Sequence, residues 1–210
     1  IMVKSGLVDR VSVAPIKLMA HLGCAVLIFA LLDWTAIELW NEACAGGAIA
    51  PARVTRGQEV VAALTVGLVY LQVLSGALVA GHKAGLTYNT WPLMDGRLIP
   101  DGLGQLSPWW ANVFENITTV QFDHRLLAYA VVALGLWQAF SVMRMQRDGP
   151  VRNSALALGA ALLAQMALGV WTLLAWVPLS LGVAHQAGAL AVLTVALWHL
   201  FAIRGAARAA

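Results

Sequence analysis

Apolar residues in this chain gather into five long runs, with neither the narrow stripe of a surface helix nor the alternation of a half-buried strand. The runs cover roughly 16–39, 58–80, 119–143, 153–175 and 179–203. Each reaches the about 20 residues that a helix needs to cross a hydrocarbon core. They predict an all-α fold, a polytopic membrane helical bundle with five spans. The polar positions between the runs orient it. Arg53 and Arg56 lie between the first two spans, Arg144, Arg147 and Arg152 between the third and fourth, and Arg204 and Arg208 after the fifth. Alternating helices bring these seven arginines to one side. The other side mixes Lys4, Arg10, Lys17, Lys83 and Arg97 with Asp9, Asp95, Asp101 and Glu115. The excess of positive charge makes the arginine side cytoplasmic and the other side external.

Composition changes this picture little. Of the 210 residues 60% are hydrophobic and 11% charged, and the mean hydropathy is +0.78; a soluble domain carries about 25% charged residues. Soluble, fibrous, disordered and secreted disulfide-rich classes are excluded. Cys24 and Cys44 are too few for a disulfide framework and read as free thiols. The net charge of +3 and pI near 9.2 do not point to nucleic acid, because Lys and Arg stand singly between apolar runs, where they orient loops in the lipid bilayer. The start Ile1-Met2-Val3-Lys4 has no basic n-region and no cleavage site. It suggests a fragment whose upstream part is missing.

An internal repeat carries more information than any single residue. The second span contains Gln72-Val73-Leu74-Ser75-Gly76 and the fourth Gln165-Met166-Ala167-Leu168-Gly169, the same Gln-x-x-x-Gly at similar depth. Lys83-Ala84-Gly85-Leu86 after the second span matches Lys4-Ser5-Gly6-Leu7, so residues 1–7 read as the tail of another such helix. The unit is a Gln/Gly helix, an external connection, and a helix with a histidine in its opening turns. Those histidines are His21, His124 and His185.

A histidine inside a membrane helix is costly unless it faces a partner or a cavity. One alone reads equally well as a helix-to-helix hydrogen bond, but three at matched depth favour a shared ligand. Zinc wants three or four clustered ligands, and neither cysteine is placed to join them. Haem iron needs one imidazole on each face of a flat ring and tolerates apolar surroundings. Small residues around the histidines, Gly182, Ala184, Ala187, Gly188 and Ala189 in one helix and Ala20, Gly23 and Ala25 in another, would let a macrocycle approach; packing of helices explains small residues as well. Asp123 or Gln121 could orient the His124 ring. Arg125 could pair with a haem propionate or extend to the headgroups. The connection 82–118, rich in aromatics, reads either as a lid or as an interfacial belt, with Trp109-Trp110 suiting the belt. His82 is expected in water or headgroups. His199, 14 residues beyond His185 and so roughly 21 Å deeper, belongs to the other leaflet and is discounted.

Three stretches, Ala84 to Gly96 with Thr87-Tyr88-Asn89-Thr90-Trp91-Pro92, Val120-Gln121-Phe122-Asp123-His124-Arg125-Leu126-Leu127-Ala128-Tyr129, and Ala184-His185-Gln186-Ala187-Gly188-Ala189, resemble the haem A synthase family, in particular its alphaproteobacterial and mitochondrial branch. The likeness runs over essentially the whole chain. Family members have eight transmembrane helices in two similar four-helix halves, and this chain resembles the last five. Residues 1–57 would then be the remnant of the N-terminal half and residues 58–210 the C-terminal four-helix bundle. The resemblance implies a membrane oxidoreductase that converts haem O, its substrate, to haem A for terminal oxidases by oxidising the C8 methyl to a formyl group. It makes His124 and His185 the axial ligands of a haem b, with Arg125 beside it. His21 becomes a ligand of the N-terminal haem site, whose other residues, with the family's catalytic acid, lie upstream, so that the fragment alone would be inactive. Tyr88, Asn89 and Trp91 are the candidates for substrate contact. A bacterial cytoplasmic membrane, or the mitochondrial inner membrane in a eukaryote, is the implied location. Haem O synthase, oxidase assembly factors and a second copy of the chain are candidate partners, and the electron donor is unspecified. Alternatives from the residues alone are a b-type bis-histidine electron-transfer cytochrome and a haem-free transporter or assembly factor.

Overall fold

The computed structural model describes residues 13–46 and 52–209; the reading of residues 1–7 as the end of an earlier helix falls outside them. The described residues are helical with no strand: α1 Pro15–Ala45, α2 Arg56–Gly81, α3 Ala111–Glu115, α4 Ile117–Met145, α5 Pro150–Leu174 and α6 Leu179–Ala209. All except α3 are long and apolar enough to cross a membrane.

The helices outrun the apolar segments because polar residues at their ends form caps. Thr55 and Gln58 make a capping box at the start of α2, Asn116 caps α4 by accepting from the Thr119 amide, and Pro15 and Pro150 open α1 and α5, where a missing N–H costs nothing. Left-handed Gly46 ends α1.

Helices α2, α4, α5 and α6 form a ring. α2 packs on α4 and α6, and α5 packs on the same two, so that α4 and α6 face each other across the middle; α1 lies outside against α2 and α6. Close approach depends on small residues, as is usual where lipid supplies no hydrophobic drive between helices. A side chain at Gly135 would run into Leu162, one at Gly23 into Leu74, and one at Gly81 into Pro15, which brings the start of α1 against the end of α2.

Down the ring the interior has three layers. The middle one is apolar, with Val69, Val131, Leu158, Leu162, Val192 and Leu193. Polar residues from all four helices lie above and below it. On α4 the inward positions are His124, Val131 and Gln138, and on α6 His185, Val192 and His199. The spacing of seven on both helices keeps one face turned to the centre over four turns.

Candidate functional site

The outer polar layer contains the histidine and glutamine pairs of the repeat. His124 and His185 stand six or seven residues past the first residue of α4 and α6. These helices run in the same direction, so the two rings share one level. Each ring lies against the Gln/Gly helix beside it. The Gln72 amide nitrogen is 3.1 Å from His124 Nδ1 and 3.2 Å from its Nε2, and it donates to the His124 carbonyl at 3.1 Å. The Gln165 amide repeats this at His185, with 3.1 Å to Nδ1 and 2.8 Å to the carbonyl. One turn on, glycine makes room for the ring: a Cβ at Gly76 would be 3.3 Å from His124 Cε1, and one at Gly169 would be 2.7 Å from His185 Cε1. Gln-x-x-x-Gly is therefore a seat for an imidazole, with the glutamine as its bond and the glycine as its clearance.

The two seats differ. Ser75 Oγ is 3.2 Å from His124 Nδ1, whereas the matching position in the second copy is Leu168. Among the described residues no hydrogen bond joins the Gln72–His124 pair to the Gln165–His185 pair. Two half-buried imidazoles on facing helices, each bonded to a glutamine of a neighbouring helix and unbonded across the middle, are the donors that a bis-histidine haem would take, and each is seated in a cradle that a Cβ would fill. The residues present fit the group. Among the described residues no group of three or more His, Cys, Asp or Glu is placed to hold a metal ion.

Several expectations change. Neither Asp123 nor Gln121 orients His124; the buried Gln121 amide instead donates to the Tyr88 carbonyl at 2.7 Å. Adjacent positions on a helix point in different directions, and only Gln72 and Ser75 of the neighbouring helix reach the ring. Arg125 does not extend to headgroups. Its guanidinium donates to the Thr90 carbonyl at 2.9 Å, the Tyr88 carbonyl at 3.0 Å and the Leu93 carbonyl at 3.5 Å, and its buried Nε has no partner. His82 bonds the Phe114 carbonyl at 2.7 Å within the external connection. Gly188 accommodates the Gln165 side-chain oxygen, and Gly23 accommodates α2, so both small residues serve helix contact. Ala184 and Ala187 are exposed.

The connection between α2 and α4 is ordered on the outer end of α4. Besides the Arg125 and Gln121 bonds, Tyr88 Oη meets Thr118 Oγ1 at 3.0 Å and Trp91 Nε1 donates to Tyr129 Oη at 3.0 Å. Asn89 is half-buried. Trp91 also walls an apolar groove of about 470 Å³ along α5, with Met166, Val170 and Trp171. Trp109 is 79% exposed. His21 is exposed on α1, while Gly23 and Val26 of the same helix turn towards the ring. Cys24 and Cys44 are free and exposed.

His199 was discounted from the sequence, yet it is 0% exposed and centres the inner polar layer. Ser154 Oγ donates to the Val151 carbonyl at 3.0 Å, so it accepts from His199 Nδ1 at 2.9 Å. His199 Nε2 then accepts from the Gln138 amide at 3.3 Å, and that amide also donates to the Gln58 carbonyl at 2.9 Å. The imidazole is bonded on both sides. The shared spacing of 14 residues, two steps of seven, from His124 to Gln138 and from His185 to His199 is the signal that could have found this network.

The family described as cytochrome oxidase assembly protein matches residues 1–197. Heme A synthase from Parvibaculum lavamentivorans is 46% identical over 199 residues, 95% of this chain and 55% of that protein. The Caulobacter vibrioides heme A synthase is 44% identical over 207 residues, 97% of this chain and 57% of its own length. The heme A synthase of Nitrosospira multiformis is 45% identical over 197 residues, 94% of this chain and 54% of that protein. No solved structure matches. The chain spans about half the length of these relatives, and over that span it belongs to the cytochrome oxidase assembly protein family.

Proposed function

We propose that this protein takes part in haem A synthesis, oxidising the C8 methyl group of haem O to a formyl group, and that residues 58–210 are the half that holds a haem b between His124 and His185. The observation that carries the reading is the doubled seat, two imidazoles at one depth on facing helices, each bonded to a glutamine and backed by a glycine of the next helix. The relatives' name supplies the reaction.

Bound haem supplies one-electron redox chemistry at its iron. The chain's own residues do the rest. Gln72 and Gln165 hold the imidazoles, and the apolar layer of Val69, Val131, Leu162 and Val192 keeps water of the cytoplasmic side away from them. Arg125 and Gln121 pin the segment bearing Tyr88, Asn89 and Trp91 over the outer end of α4, where it can contact a substrate at the external surface. Exposed His21 is available to a second haem site built with residues outside this chain. The protein lies in the bacterial cytoplasmic membrane with its arginine-rich end inside.

The test is optical. In the membrane-embedded protein carrying this sequence, His124→Ala and His185→Ala should each remove or perturb a low-spin b-type signal in reduced-minus-oxidised spectra, while His199→Ala leaves it. Equal effects of all three would sink the assignment. Intact haem with no conversion of haem O would leave an electron-transfer cytochrome instead.

A further inference from the structure

We infer that the two axial imidazoles are deliberately unequal, with Ser75 making His124 the more electron-rich ligand of the pair. This rests on the haem-binding reading above. The difference lies inside the repeat: Gln72-Val73-Leu74-Ser75-Gly76 and Gln165-Met166-Ala167-Leu168-Gly169 keep their glutamine and glycine, but the residue before the glycine is a hydroxyl in one copy and a hydrocarbon in the other.

An imidazole that gives its Nε2 lone pair to iron carries its proton on Nδ1, and that N–H needs an acceptor. At His124 the acceptor is present, because Ser75 Oγ stands 3.2 Å from Nδ1. A glutamine amide nitrogen, a donor, stands 3.1 Å from Nδ1 at both histidines and is bound to the carbonyl of its own histidine, but at His185, among the described residues, the Gln165 amide is the only polar group at Nδ1. The Gln165 oxygen is turned away against Gly188, where a Cβ would run into it. Leu168 offers nothing polar. The His124 N–H is therefore bonded to a hydroxyl, and the His185 N–H has a poorer partner.

An accepted Nδ1–H bond pushes charge into the ring, strengthens the bond to iron and favours the oxidised metal. Ser75 thus lowers the reduction potential of the haem from the His124 side, and His185 is the weaker ligand. Ser75 touches neither iron nor substrate and is a positioning residue.

The experiment is a redox titration, with low-spin ferric electron paramagnetic resonance spectra and haem content, on the membrane-embedded protein and three variants. Ser75→Ala should raise the midpoint potential and alter the g-value spread at unchanged haem content. Ser75→Thr, which keeps the hydroxyl, should restore both. Leu168→Ser should lower the potential by giving His185 the missing acceptor, and it reports even if Ser75→Ala fails to fold. A potential and spectrum unmoved by both Ser75→Ala and Leu168→Ser, with haem bound, overturns the inference alone. An unmodified protein without haem, or one whose haem survives His124→Ala unchanged, overturns the haem-binding reading and this inference with it.

Discussion

Arg125 shows how one side chain's role follows from its surroundings. A guanidinium is a rigid fork of donors, and here the fork takes two main-chain carbonyls, that of Thr90 and that of Tyr88, which Gln121 also bonds. It therefore acts as a clasp for the external connection. Lysine is a point donor and does not span the same pair. Arg125→Ala and Arg125→Lys are both expected to loosen residues 87–97, read as faster cleavage there by a protease added from the external side; unchanged cleavage in both would remove the clasp. From the sequence the same residue reads as an anchor or a propionate partner, since neither spacing nor composition reveals which loop folds back over it. Gln72 and Gln165 illustrate the converse. The repeat marks them plainly, but only the packing of neighbouring helices turns the mark into a bond to histidine.

At the level of helix pairs, α2 with α4 and α5 with α6 are two copies of one contact, and the glycines set its tightness. The clearances are unequal, 3.3 Å at Gly76 and 2.7 Å at Gly169. A methyl group at the first can be absorbed by a shift of a few tenths of an ångström, whereas at the second the ring or the helix has to move. Gly169→Ala should thus displace His185 and lower haem content or broaden its low-spin spectrum, with Gly76→Ala clearly milder. A reversed order in the two spectra would mean that the helices, not the rings, set these distances. The helix ends were legible to within a few residues from hydropathy. They extend beyond the apolar runs because Thr55, Asn116 and the prolines cap them, a local signal that hydropathy alone overlooks.

On the scale of the whole bundle, the inner polar layer ties α4 to α6 directly through Gln138 and His199, while the outer layer leaves the same two helices unbonded across the ring. The closed inner end is thus the brace and the outer end the place for a ligand. His199→Leu strands one hydrogen of the buried Gln138 amide, a loss of about 1–3 kcal/mol. Replacing both partners, as Gln138→Leu with His199→Leu, should cost less than the sum of the single changes, because the bond between the two is then lost only once and the Gln138 hydrogen is not stranded. Unfolding in detergent measures this, and strict additivity would contradict it. What the sequence determined by itself is the class and frame of the protein: five spans, their alternation, the arginine-rich end and the repeat, which follow from the length, polarity and recurrence of contiguous segments, and the family, which follows from the likeness of three motifs. What only the tertiary structure decided is which polar groups meet. Partners such as Ser75 and His124, or Gln138 and His199, are 49 and 61 residues apart in the chain, and their meeting depends on the order of helices around the ring and on the rotation of each about its axis. Hydropathy carries neither, because a membrane helix is apolar on nearly every side.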